Sequence, residues 1–277
     1  DTSVGAPPDK FNTQGQDWST PPFDPWALRE GGYEPFIQTL RATMRASRGL
    51  RIDHVMGLAR LYCIPKGSSA AQGAYVRYPV DDLMAIVALE SRRARAFVVG
   101  EDLGTVEGSL RAKMTDQQML SYRLVIFSGF SASRYPRMTF AAVSTHDLPT
   151  IAGLWSGSDL LEQSERGLSP NGPATAAMIS SIRKGLKIRR GLKLREASVE
   201  LVADRIHSWL AERDSSVAVV SLEDLLGEPS RVNMPSTHLK RPNWSMALSS
   251  TLEDLTEDPR ARRLSDQMRN RRGPMPR

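Results

Sequence analysis

Five short apolar runs divide the chain, and apolar residues recur at helical spacing between them. The runs are LRIDHVMG (Leu50–Gly57), AFVVGEDLG (Ala96–Gly104), YRLVIF (Tyr122–Phe127), FAAVSTHD (Phe140–Asp147) and SVAVVSLED (Ser216–Asp224). Each is short enough, and rich enough in β-branched and aromatic residues, to predict a buried strand. Between Tyr33 and Ser47, Phe36, Ile37, Leu40 and Met44 share one face, which predicts an amphipathic helix. DDLMAIVALESRRAR, Asp81–Arg95, predicts another, with two acids where the helix dipole favours them. Glu107–Met119 reads as a short helix, and residues 159–213 as helical with interruptions at Gly167–Pro173, Gly185 and Gly191. A Pro- and Asn-rich loop, VNMPSTHLKRPNW, leads to a last helix. Strand and helix therefore alternate, the pattern of an α/β fold with a parallel sheet. Residues 1–26, dense in Pro, Gly, Asn and Asp, are expected to be an ordered loop carrying Phe11, Trp18, Phe23 and Trp26. Leu58–Pro79 is likewise expected to be a Gly- and Ser-rich loop.

Composition narrows the class. The 277 residues are 40% hydrophobic and 25% charged, an ordinary globular balance. No apolar run approaches the roughly 18 residues of a membrane span. The N-terminus DTSVGAPPDK lacks the apolar core of a signal peptide. One cysteine, Cys63, leaves no internal disulfide framework and no Cys-rich metal site. A cytoplasmic protein is the expectation. The net charge of +6 suggests nucleic acid until it is located. Six arginines stand against Asp266 in residues 261–277, so the rest of the chain is close to neutral. A solvated helix face and tail account for that charge, and neither nucleic acid nor membrane is an expected partner.

Four of the five runs end in an acid or an imidazole, and YRLVIF does not. In parallel sheets and barrels, chemistry gathers where strands end and loops converge. Asp53, Glu101 and Asp147 lie almost fifty residues apart, so only a shared sheet or barrel could unite them. On its own, RIDH reads equally well as a structural Arg–Asp pair. Carboxylates gathered at one mouth would raise the pKa of at least one of them. A proton-holding carboxyl beside an ionised one is what glycosidic-bond chemistry requires. Arg51 and His146 could supply donors, and Trp18, Phe23 and Trp26 apolar faces for sugar rings. A metal hydrolase would use the pairs Asp53–His54 and His146–Asp147, but no HxH, HExxH or CxxC spacing supports it. No GxSxG elbow, P-loop or dinucleotide fingerprint is present.

GAPPDKFNTQGQDW, LRIDHVMGLARLYCIP, VVGEDLGT, STHDLPTIAGLW and the late EDLLG, VNMPST and RPNW together resemble the amylomaltases, 4-alpha-glucanotransferases of glycoside hydrolase family 77. The blocks run in family order from residue 5 to about 248. The resemblance implies the C-terminal part of a (β/α)8 TIM barrel of the alpha-amylase type, with the early strands apparently missing. It implies a catalytic portion over residues 1–250 and a terminal helix and basic tail over 251–277. The implied activity is retaining transfer of 1,4-alpha-glucan segments to an acceptor glucan or glucose, with no metal or organic cofactor. An alpha-glucan hydrolase and an inactive glucan-binding fragment are the alternatives. On this template Asp53 is the nucleophile, Glu101 the acid/base and Asp147 the carboxylate that holds hydroxyls of the distorted sugar. Arg51, His54 and His146 would shape the donor pocket. Asp9, Gln16, Trp18, Asn233 and Pro235 would line the glucan path, and maltooligosaccharides would be the substrates.

Overall fold

In FVVG the chain buries Val98, Val99 and Gly100 in succession, as a parallel strand covered on both faces should be, and leaves only Phe97 at its start exposed. The computed structural model describes residues 1–8, 14–104, 106–186, 198–235, 237 and 240–272. The chain forms two compact units, Asp1–Tyr122 and Arg123–Arg277.

In chain order the first unit contains β1 (Thr2–Ala6), β2 (Gln16–Thr20), α1 (Pro25–Glu30), α2 (Glu34–Met44), β3 (Gly49–Ile52), β4 (Arg60–Pro65), β5 (Ala74–Arg77), α3 (Val80–Ala94), β6 (Phe97–Gly100), α4 (Gly108–Asp116) and the start of β7 (Leu120–Leu124). β6 pairs in parallel with β3 on one side and β7 on the other. Leu40 and Met44 of α2, Leu83, Met84 and Val87 of α3, and Met114 of α4 form one buried cluster with Val98 of β6. Arg41 of α2 grips the buried Glu90 of α3 through Nε (2.8 Å) and Nη2 (3.0 Å), and Arg93 adds a third contact at 2.7 Å. The Arg41 hydrogen bonds outweigh burial and hold Glu90 below its ordinary carboxylate pKa.

Two expected loops are instead sheet. β1, β2, β4 and β5 form a four-stranded antiparallel sheet in the order β2-β1-β4-β5. Their sequences hide it for local reasons. In β4, Tyr62, Cys63 and Ile64 are buried consecutively, so period-two alternation is absent. In β1 the register slips between Val4 and Gly5. A Cβ on Gly5 would lie 2.0 Å from the Gln16 carbonyl oxygen, so only glycine lets β2 approach.

The second unit continues from β7 into α5 (Val125–Ser128), so YRLVIF is strand only as far as Leu124. Then come β8 (Thr139–Ala142), α6 (Ile151–Ser156), α7 (Ser158–Glu165), α8 (Gly172–Gly185), α9 (Val199–Ala211), β9 (Val217–Val219), α10 (Leu222–Leu226), α11 (Leu252–Glu257) and α12 (Pro259–Arg272). The interruption expected at Gly191 lies outside the described residues. β8 and β9 are parallel, with Ala141 opposite Ala218. α9 turns Val202, Ile206, His207 and Leu210 inward and packs against α12 and α6. No helix among the described residues is long and apolar enough to cross a membrane.

Two buried groups in this unit set opposing pH dependences. Burial raises Asp224 from 3.8 to about 6, so the stability carried by its bound proton is complete below 3.8 and lost as pH rises through 6. Burial lowers His207 from 6.5 to about 4, so its contribution is complete above 6.5 and lost as pH falls through 4. Asp224→Asn removes the first and leaves the second unopposed. The variant's melting temperature should fall more steeply than the wild type's between about pH 6.5 and 4.5. Parallel melting curves would refute this.

Candidate active site

Asp53 and Glu101 stand one residue beyond the ends of β3 and β6, two paired parallel strands. The ladder continues past both strands: Glu101 N–H donates to the Ile52 carbonyl (2.9 Å) and Val55 N–H to the Glu101 carbonyl (3.0 Å). His54 makes the turn between them in the left-handed region (φ 47°, ψ 61°), uncommon for a residue with a side chain. That turn aims its N–H at Glu101 Oε2, 3.0 Å away, while Leu103 N–H reaches Oε1 at 2.7 Å. Both bonds favour the ionised carboxylate. Burial outweighs them, with a smaller contribution from the Asp53 charge, and the Glu101 pKa is raised. A carboxyl that keeps its proton longer than usual is suited to act as a general acid.

Asp53 is placed differently. Its side chain is 74% exposed, and Oδ1 meets the Arg51 guanidinium at 2.6 Å. Arg51 in turn lies over the Tyr122 ring, 5.4 Å from its centroid. The imidazole of His54 packs edge-on against Trp18 of β2, with centroids 5.1 Å apart, and Trp18 Nε1 donates to Gln16 Oε1 at 3.0 Å. Burial lowers the His54 pKa, so its ring favours the neutral form. Next to Glu101, Asp102 is 1% exposed and accepts from Arg111 Nε (2.8 Å), Ser121 Oγ (2.6 Å) and Tyr122 N–H (2.8 Å). It ties the end of β6 to β7 and α4. Gly100 lets the acidic pair sit there, because a Cβ would meet Met114 at 2.7 Å and Val55 at 2.9 Å.

Asp147 belongs to the second unit and has its own partners. It follows β8 in the loop before α6. Its Oδ2 lies 3.3 Å from His146 Nε2, and its Oδ1 accepts from Asn233 Nδ2 at 2.6 Å. Asn233 N–H donates to the His146 carbonyl (3.0 Å). Arg231 holds the Asp147 carbonyl at 2.8 Å and is itself forked onto Asp159 at 2.7 and 2.5 Å. Arg231 and Asp159 are 6% and 4% exposed. Trp244, 63% exposed, tilts over His146 with centroids 4.9 Å apart. Arg241 and Asn243 fasten the same loop: Arg241 Nη2 reaches the Arg231 carbonyl at 2.6 Å, and Met234 N–H reaches Asn243 Oδ1 at 3.1 Å.

The expected residues thus fall into two clusters. Arg51, Asp53, His54, Glu101, Gln16 and Trp18 share the first, and His146, Asp147 and Asn233 share the second. Pro235 is exposed, one residue past the buried Met234. Asp9 lies outside the described residues. Sequence reasoning passed over Asp102, Tyr122, Arg231, Asp159 and Trp244. Only Asp102 and Trp244 carried a local signal, as the neighbour of Glu101 and the end of RPNW. Among the described residues no group of three or more His, Cys, Asp or Glu could hold a metal ion.

Carboxylates at the ends of parallel strands, one raised in pKa and one paired with arginine, define a β/α protein that gathers acidic side chains at its strand ends. The chain belongs to glycoside hydrolase family 77, whose model, described as 4-alpha-glucanotransferase, matches residues 1–252. It is 39% identical over 269 residues to the 4-alpha-glucanotransferase of Haemophilus influenzae, covering 90% of this chain and 38% of that protein. It is 35% identical over 292 residues to the Mycobacterium tuberculosis 4-alpha-glucanotransferase, covering 96% of this chain and 40% of that one. The crystal structure of amylomaltase from Corynebacterium glutamicum superposes with a TM-score of 0.87 at 32% identity, over 97% of this chain and 42% of the other. The fold is accordingly that of part of a (β/α)8 barrel, and the chain spans about two-fifths of its relatives' length.

Proposed function

We propose that this chain carries the catalytic carboxylates of a 4-alpha-glucanotransferase acting on maltooligosaccharides and related 1,4-alpha-glucans, in the catalytic portion over residues 1–250. The observation that carries the reading is Glu101: a partly buried, backbone-clamped carboxyl of raised pKa on the strand next to Asp53. In the first displacement an Asp53 oxygen bonds to the anomeric carbon as the bond to the glycosidic oxygen breaks. Glu101 gives its proton to that oxygen, and the shortened glucan leaves. In the second, the 4-hydroxyl of an acceptor glucan gives its proton to Glu101 and attacks the same carbon, releasing Asp53. Two inversions retain the configuration. Arg51 orients the nucleophile. Asp147, held by Asn233 and flanked by His146, accepts hydrogen bonds from hydroxyls of the distorted sugar. Gln16, Trp18 and Pro235 line the glucan path, with Trp18 offering a ring face. No metal or organic cofactor takes part, and we place the protein in the cytoplasm, working on maltodextrin or glycogen chains.

Preference for a sugar acceptor over water by 100-fold needs only about 2.7 kcal/mol of barrier difference. The test is incubation with maltotriose, using the longest form of the protein its coding sequence specifies. Both glucose and oligosaccharides longer than maltotriose are expected. Glucose and maltose alone would make it a hydrolase, and saturable binding without products would make it a glucan-binding protein.

A further inference from the structure

The second unit contains a cavity that the proposed transfer reaction does not use. It lies between α9, α10 and α12 and encloses about 160 Å³. Its most buried polar lining is His207, 2% exposed, and Asp224, 5% exposed. One nitrogen of the His207 ring bonds the Ala203 carbonyl one turn back, while Nε2 is buried without a partner. A ring nitrogen that bonds a carbonyl must carry the proton, so that nitrogen is Nδ1 and Nε2 presents a bare lone pair. Native structures rarely leave a buried acceptor unmatched.

The other lining groups restrict what could match it. Asp224 accepts from the Ile151 N–H at 2.7 Å and has acceptor capacity left. Arg260 is engaged by Asp258 at 2.7 Å and Arg263 by Asp204 at 2.9 Å, so neither offers an uncommitted charge to an anion. A phosphate or carboxylate would also bring no proton for His207. A metal ion lacks a ligand set among the described residues. Leu225 and Leu264 supply apolar wall. A hydroxyl group satisfies each requirement: it donates to Nε2 or a carboxylate, accepts from a guanidinium, and leaves C–H groups for the leucines. The size sets an upper limit, since an apolar cavity of about 150 Å³ takes one benzene ring.

We propose that this cavity binds a small neutral polyol, one sugar ring at most, through His207 Nε2 and Asp224. The site does not depend on the transferase reading, because none of its lining residues belongs to the carboxylate clusters.

The test is titration of protein labelled with [15N]histidine, following the His207 Nε2 resonance, with calorimetry alongside. D-glucose and glycerol are the probes, and ammonium and inorganic phosphate the controls. A saturable shift with at least one polyol is expected, unchanged in an Asp53→Asn background. By calorimetry His207→Phe should weaken binding at least about tenfold, and His207→Gln, which keeps an acceptor, should stay within about threefold of wild type. Melting curves establish that both variants fold, and if His207→Phe does not, the wild-type resonance decides alone. An Nε2 signal unmoved by either polyol up to about 100 mM would mean that the cavity holds only water. A response to ammonium or phosphate alone, or equal affinity in a folded His207→Phe variant, would also overturn the proposal.

Discussion

Glucan transfer by Glu101→Gln is expected to fall by about 10²–10⁴-fold, the usual range for losing a positioned general acid/base. Glutamine keeps the shape, but its single carbonyl oxygen can accept only one of the two N–H bonds, from Leu103 or from His54, so the melting temperature must be followed alongside the rate. What it lacks is a proton to give to the leaving oxygen. The pH profile makes the assignment specific. Burial raises the Glu101 pKa above its ordinary 4.5, so on the proposed reading the wild-type protein should retain its acid form, and its kcat/KM, to a higher pH than an exposed glutamate would allow. Glu101→Gln should abolish that alkaline limb along with the rate. Asp53→Asn should be equally damaging because it removes the proposed nucleophile, but it should keep the alkaline limb and only move it to lower pH, since the Asp53 charge contributes to raising Glu101. Measured on maltotriose with the melting temperature as a control, near-normal transfer by either folded variant would sink the assignment.

The second large effect is expected at a buried ion pair. Arg231→Ala strands Asp159, 4% exposed, as a buried charge without its forked partner. Breaking a buried pair on one side costs about 3–5 kcal/mol, several times what an exposed pair contributes. For a unit of this size that corresponds to a melting temperature lower by about 10 °C. A drop of less than about 2 °C would contradict the burial argument. Replacing both partners with apolar residues separates stability from function. Arg231→Met with Asp159→Leu should recover most of the melting temperature, since a packed apolar pair often replaces a buried ion pair without loss. Transfer should remain impaired, because the Arg231 bond to the Asp147 carbonyl is gone.

The parts legible in the sequence were those written in short-range pattern. Val98 and Val99 are buried together in a run too short for a helix, and all five apolar runs do contain strands. The face of Leu40 and Met44 was readable because helical period is local. The antiparallel sheet was not, because its stability lies in pairings such as Val4 with Cys63, far apart in sequence, and its glycines look like loop residues. The site divided in the same way. Asp53 and Glu101 follow apolar runs and stand out, whereas Arg231 acts through Asp159, 72 positions away, and nothing local marks it. Asp102 is an acid adjacent to Glu101, and only its burial marks it as different.

That difference limits how the strand can change. Glu101 and Asp102 are adjacent in the chain, yet one is held at the strand end and the other is buried under Arg111, Ser121 and Tyr122. A strand sends successive side chains to opposite sides, so adding or deleting one residue in Phe97–Gly100 would exchange their surroundings. Glu101, the proposed acid/base, would be locked inside, and Asp102 would take its place at the strand end. Apolar substitutions at Phe97, Val98 and Val99 can therefore be absorbed by repacking, while a side chain at Gly100 or a change in the strand's length cannot, and this segment should keep a fixed residue count however far those three side chains diverge.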